Sequence, residues 1–253
     1  MDITNRTVFI GGATSGIGLE LARRFAAAGS DVIVGGRRAD LLGKLAAEGF
    51  AAVPIDVTDA ASIDRARDAI LRSHPGLDTI VTMSGVGIPE DLRDPAHFSA
   101  AQETIDTNLL GTIRVIDAFT PHLIERGAGT IITVSSGIGF LPFPVMPTYA
   151  ASKAAVHAYS EALRAQLDGT GVEVSELIPP AVALTPEAKQ RNSHALDLAE
   201  FATEVMDLLA IDPTPHEILV KGVLMHRRAE RAGTYDELVA QRSQALAMLP
   251  SRR

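Results

Sequence analysis

Cysteine is absent from this 253-residue chain. Disulfides, thiolate metal centres and cysteine nucleophiles are therefore excluded, although that absence does not by itself fix the compartment. Positive charge is in deficit. Lys and Arg number 23 against 31 Asp and Glu, for a net charge of −8 and a pI near 5.4. With no run of Lys or Arg, neither a nucleic-acid surface nor an anionic membrane finds the basic footprint it requires. No stretch approaches the roughly 18 consecutive apolar residues of a membrane span. The first residues, MDITNRTVFIGG, enter a strand-like run at once and lack the charged-then-apolar layout of a signal peptide. A soluble cytoplasmic protein is the expectation. The seven histidines show no paired metal-ligand spacing, so no metal site is expected.

What the chain does have is apolar content, 46% of its residues, sufficient for one large α/β domain and too little for two comfortable ones. Short apolar runs alternate with longer amphipathic segments. TVFIGG precedes a helix over 16–28, DVIVGG a helix over 39–48, and AAVPID a helix over 61–73. DTIVTMSG, a helix over 100–126, TIITVSSG, a helix over 149–167 and VEVSELIPP continue the βαβ rhythm. The strands read as buried on both faces. The expected fold is thus α/β, a single doubly wound Rossmann-like domain over 1–253 with a parallel sheet flanked by helices on both faces. After Pro180 the rhythm breaks into the polar stretch ALTPEAKQRNSHAL. Residues 183–210 are expected to form a substrate loop or lid, and 223–253 a C-terminal helical extension after the strand EILV.

The first strand runs into GGATSGIGLELARRF, where Gly12, Gly16 and Gly18 stand between a strand and a helix. Glycines there let the backbone approach a pyrophosphate, and the helix N-terminus directs N–H groups and positive dipole toward the anion. The second strand ends VIVGGRR, with no acid to receive the ribose hydroxyls of NAD. Gly36 leaves space where a carboxylate would repel a 2′-phosphate. Arg37, with Arg38 behind it, offers a planar fork of donors to that phosphate, so the expected cofactor is NADP(H). Asp56 ends the third strand, placed either to accept from an adenine amino group or to cap a turn. Further on, PTYAASKAAVHAY sets Tyr149 and Lys153 four positions apart, on one helical face. A cation near a phenol favours the phenolate and makes it a candidate acid or base. A packed ring beside a solvated charge has the same spacing.

Taken together, GGATSGIG, DTNLLG, TVSSG and TYAASK resemble, in order and spacing, the motifs of the short-chain dehydrogenase/reductase family over nearly the whole chain. Its VSSG, YxxxK and PPAV arrangement is similar to a subgroup found in some teichoic-acid D-alanylation operons. The resemblance implies a catalytic set of Asn108, Ser136, Tyr149 and Lys153. Tyr149 would exchange a proton with the substrate oxygen, and Ser136, rather than its neighbour Ser135, would hold that oxygen. Lys153 would lower the phenol's pKa and bond the nicotinamide ribose, and Asn108 would position a water. It extends the cofactor-contacting set to Thr14, Ser15, Ile17, Val57, Ser84, Gly85, Pro179 and Val182. A homodimer or homotetramer through the helices around 100–126 and 149–168 is implied as well. The substrate expected is a small carbonyl or alcohol compound with apolar character, and the apolar loop GIGFLPFPVMP reads equally as a pocket wall, as core packing or as a subunit contact. Three departures stand out: Met83-Ser84-Gly85 in place of Asn-Ala-Gly, Pro179-Pro180-Ala181 in place of Pro-Gly, and Thr185 as the nearest candidate for a cofactor-facing threonine. The first motivates an alternative, a non-redox isomerase, dehydratase or cyclase that uses Tyr149 for proton transfer. His157, one turn beyond Lys153, is read as a packed or solvent-facing residue.

Overall fold

Alternation inside continuous apolar runs decides the architecture. In β1 (Thr7–Gly11), Val8 and Ile10 join one hydrophobic core and Phe9 the opposite one. A strand apolar on both faces has to lie inside a sheet covered twice. The computed structural model describes residues 1–249; the end of the expected extension, 250–253, lies outside the described residues.

After β1 come α1 (Gly16–Ala27), β2 (Asp31–Gly36), α2 (Ala39–Ala47), β3 (Ala51–Pro54), α3 (Ala60–Ser73) and β4 (Thr79–Thr82). The second half contains α4 (Phe98–Ile105), α5 (Gly111–Arg126), β5 (Gly129–Val134), α6 (Pro147–Gln166) and β6 (Val172–Leu177). Next are β7 (Val182–Ala183), α7 (Pro186–Arg191), β8 (Leu196–Asp197), α8 (Leu198–Leu209), β9 (Glu217–Ile218), α9 (Leu224–Ala232) and α10 (Tyr235–Ser243). Seven strands pair in the order β3-β2-β1-β4-β5-β6-β9, every pair parallel. One face packs on α1, α2 and α8 through Leu21, Phe25, Leu45 and Phe201; the other packs on α3 and α5 through Ile70, Ile116 and Phe119. Chain order reverses at the β1–β4 boundary. That is where a doubly wound sheet opens a crevice beyond the carboxyl ends of its strands.

Three expectations change in detail. The helix over 100–126 is α4 and α5 joined by a π-turn, Asp106–Leu110, which carries Asn108. Such turns insert a residue into the helical ladder and often mark functional positions. The polar stretch after Pro180 is ordered into β7, α7 and β8. Thr185 is spent there as the N-cap of α7, accepting from the Ala188 N–H at 3.2 Å. The C-terminal helix stops at Ser243 and tightens into a 3₁₀ turn over Gln244–Met248. Arg242, on that helix, donates to the Leu141 carbonyl of the loop before α6.

Candidate active site

At the end of β1 the backbone turns so closely under the sheet that side chains do not fit. Gly12 sits at φ +90°, and a Cβ there would lie 2.6 Å from the Ser84 nitrogen. One on Gly18 would lie 2.6 Å from the Gly12 carbonyl oxygen. Ser15, the N-cap of α1, is extended and makes no side-chain cap bond, so the first N–H groups of α1 are left to another acceptor. A glycine cradle at an uncapped helix N-terminus suits a pyrophosphate.

Beside this loop, Arg38 Nη2 donates to Thr14 Oγ1 and to Ser15 Oγ, each at 2.6 Å. Arg37 is exposed and lines the same cleft. The order expected from sequence, Arg37 foremost and Arg38 behind, is thus modified: Arg38 is the arginine seated on the glycine loop. The space at Gly36 is also taken, since a Cβ there would come within 2.6 Å of Thr14 Cγ2. Glycine is needed at 36 to admit Thr14, a packing reason the sequence did not show. Asp56 Oδ1 accepts from the Thr58 N–H at 3.0 Å and the Thr58 hydroxyl at 2.8 Å, forming a local turn. Those backbone and hydroxyl bonds, with Arg37 adding a smaller pull, hold its carboxyl below the usual range.

At the far end, β5 delivers Ser136 and α6 delivers Tyr149 and Lys153. Ser136 Oγ accepts from the Ile138 N–H at 3.3 Å. Lys153 is 5% exposed, and its Nζ donates to the Val134 carbonyl at 2.8 Å. Burial pushes this ammonium down to about 8, against an opposing pull from the Glu176 carboxylate. Burial raises the Tyr149 phenol, and the Ser136 hydroxyl draws it back down. The Lys153 ammonium lies 5.7 Å from the ring centroid and is bonded to a main-chain carbonyl.

One cleft of about 670 Å³ gathers Gly12, Thr14, Ser15, Gly16, Ile17, Gly18, Arg37, Arg38, Asp56, Val57, Ser84, Gly85, Ser136, Tyr149, Lys153 and Pro179. Asn108 and Val182 do not line it. Asn108 is fully buried, with Oδ1 accepting from the Val86 N–H at 2.8 Å and Nδ2 donating to the Val86 carbonyl at 2.9 Å and to Ser152 Oγ at 3.1 Å. It clamps the segment after β4 against α6. Val182 packs on the core, and Ala181 and Leu184 face the cleft in its place. Met83 fills the space beside Gly18, 3.1 Å from where a Cβ would sit, and joins the core on that face. Of the loop before α6, Ile138 and Met146 reach the cleft, whereas Leu141 and Val145 are core residues.

Two acids escaped the sequence reading. Glu90, 2% exposed, accepts from the Thr148 N–H at 3.0 Å and the Thr148 hydroxyl at 2.9 Å, and lies 3.0 Å from His97 Nδ1. It is a carboxylate cap on α6, supplied from 58 residues away and immediately before Tyr149. Glu90→Ala is expected to cost ~1–3 kcal/mol by leaving these donors unsatisfied. Urea denaturation of the two proteins measures the loss. Glu176 on β6 is the second, bound by Ser135 and by His157, so His157 is a paired residue rather than merely a packed one. Glu176 shares β6 with Glu173 and Ser175, so its own window does not mark it as buried.

The model of the short chain dehydrogenase family matches residues 6–196. The uncharacterized oxidoreductase DltE of Bacillus subtilis (strain 168) is 34% identical over 211 residues, 81% of this chain and 82% of that one. A sulfoacetaldehyde reductase of Chromohalobacter salexigens is 39% identical over 178 residues, 68% of this chain and 70% of that one. An alcohol dehydrogenase from the archaeon Thermococcus sibiricus, solved with 5-hydroxy-NADP, is similar with a TM-score of 0.73 at 27% identity, covering 85% of this chain and 96% of that one. With its sheet order, its glycine cradle and most of its length matched in this way, the chain belongs to the short-chain dehydrogenase/reductase family of oxidoreductases.

Proposed function

We propose that this protein is an NADP(H)-dependent oxidoreductase acting on a carbonyl or alcohol substrate of apolar character. A single observation carries the reading: one continuous cleft has Arg37 and Arg38 beside the glycine loop and also holds Ser136, Tyr149 and Lys153. NADP(H), when bound, supplies or accepts the hydride. The protein's own residues do the rest. The α1 N-terminus and Gly12, Gly16 and Gly18 receive the pyrophosphate, the two arginines receive the 2′-phosphate, and Asp56 and Val57 flank the adenine. Tyr149 passes its proton to the substrate oxygen in reduction and takes it back in oxidation. Ser136 donates to that oxygen as charge develops on it. Lys153 keeps a positive charge behind the phenol, and Asn108 acts by holding Val86 in place.

Val86, Ile138 and Met146 line the cleft that holds Ser136 and Tyr149, and Leu184 lies over Gly16 of the glycine loop. Among the described residues Lys153 is the one cation beside Ser136 and Tyr149, so a sulfonated aldehyde of the kind named for one relative finds no dedicated partner there. The non-redox alternative drew on Met83-Ser84. Met83 packs beside Gly18 and also lines the cleft, and the redox reading is supported by the cleft as a whole rather than by that position. Self-association through α5 and α6 remains part of the proposal, since Leu110 and Ile124 stay exposed on that side. Among the described residues no helix is long and apolar enough to cross a membrane.

Absorbance at the reduced-nicotinamide band, followed with NADPH and a panel of aromatic and aliphatic aldehydes and ketones, tests the proposal. Consumption of NADPH is expected with apolar members and to be weakest with sulfoacetaldehyde. A panel in which no member consumes NADPH would sink the redox reading.

A further inference from the structure

Strand β6 reads VEVSEL, and its Glu176 is fully buried. A buried carboxylate needs both hydrogen bonds and compensating charge. The hydrogen bonds are in place: Ser135 Oγ donates to Oε1, and His157 Nδ1 lies 2.7 Å from Oε2. The charge is supplied along α6. Tyr149, Lys153 and His157 succeed one another at four-residue spacing on one helical face. Lys153 bonds the carbonyl of Val134, the residue before Ser135, and β5 pairs with β6 so that Thr133 faces Glu176 and Val134 faces Leu177. The carboxylate is thus held by the imidazole and by Ser135, the residue next to the one whose carbonyl takes the ammonium.

Other charged groups surround this set. Glu161 of α6 is 3.8 Å from His157 Nε2, and Glu217 of β9 is 4.0 Å from His157 Nδ1. Arg227 of α9 grips Glu217 with bonds of 2.8 and 3.0 Å and stacks over the Phe140 ring, whose edge meets His157. Arg227 is bonded to Glu217 and is also within electrostatic reach of Glu176, which it shares with Lys153 and His157.

We propose that Glu176 is a positioning residue for Tyr149 and Lys153: clamped by Ser135 and His157, its carboxylate is the counter-ion that keeps the buried Lys153 ammonium charged. The proposal rests on the reading of Tyr149 and Lys153 as a working pair. Burial drives the lysine down to about 8, and Glu176 is the group that opposes it. Without the carboxylate the lysine falls further, becomes neutral near physiological pH, and no longer places a cation behind the phenol. The lysine is 5% exposed, so solvent supplies little of the charge stabilisation that the carboxylate provides.

The full chain labelled with ¹³Cε-lysine gives a direct readout, because its lysines are Lys44, Lys153, Lys189 and Lys221 and the buried one is assigned with Lys153→Met. In Glu176→Gln the Lys153 midpoint is expected to move acidward by about one pH unit or more, a tenfold change in proton affinity. Glu176→Asp, which keeps the charge, is expected to restore most of it. The alkaline limb of kcat for NADPH with benzaldehyde should move in parallel. An unchanged Lys153 midpoint in Glu176→Gln overturns the proposal. Should that variant not fold, linkage demands the reciprocal effect, in which Lys153→Met raises the titration of the Glu176 carboxyl carbon by a similar amount. No rise overturns it equally. The midpoints report on Glu176 whether or not benzaldehyde is turned over, and loss of turnover in Tyr149→Phe reports on the catalytic pair.

Discussion

Tyr149→Phe is expected to lower kcat for carbonyl reduction by roughly 10²–10⁴-fold, ~3–5 kcal/mol of barrier, the range for removal of a positioned general acid. The substitution deletes one oxygen and keeps the ring, which packs against the segment at Gly87, with Tyr149 Cδ2 3.5 Å from where a Cβ there would be. Folding and NADPH binding should therefore survive. The partner interaction lost is the one with Ser136, the group that draws the phenol's pKa down against burial. Stopped-flow reduction with saturating NADPH measures the effect. A Phe variant that retained wild-type kcat would remove Tyr149 from the mechanism, and with it the proton transfer on which the proposed reaction depends.

The second large effect concerns the cofactor. Arg37→Ala is expected to weaken NADPH binding by roughly 10–100-fold, as loss of a charge-assisted bond of about 1.5–3 kcal/mol requires, and to leave NADH binding unchanged. Arg38→Ala should behave differently. Its guanidinium also holds Thr14 and Ser15, so removing it loosens the glycine loop and weakens both dinucleotides. Fluorescence titration of wild type and both variants with NADPH and NADH separates the two roles. If NADH binds the wild type as tightly as NADPH does, the arginines do not select the cofactor. Equal losses of NADPH and NADH in Arg37→Ala would likewise dismiss Arg37 from 2′-phosphate recognition.

Some of this was visible because it is local. A βαβ rhythm is written in short windows, and the strand–glycine–helix succession at 7–27 reads the same in sequence and in space. Tyr149 and Lys153 sit four apart on one helix, so their shared face follows from helical geometry alone. Spacing could not say what each would touch. The lysine on the phenol's face also bonds a carbonyl of β5, because a buried ammonium takes the nearest strong acceptor. The glycine at 36 was read as space for a phosphate, whereas Thr14, 22 positions earlier, uses that space.

The carboxylates show the limit most clearly. Glu90 caps a helix that begins 57 positions later in the chain, and Glu176 meets His157 across 19. Each is unremarkable in its own window, where an acid is as consistent with solvent as with a buried partner. From sequence alone the protein's class, its strand–helix rhythm, its glycine loop and its candidate tyrosine–lysine pair are legible, since each is written in short windows of the chain. Tertiary structure alone decided which arginine grips the loop, what Asn108 clamps and which acid stands behind the lysine. Those choices are set by burial and by hydrogen bonds between distant segments, and neither exists until the chain has closed on itself.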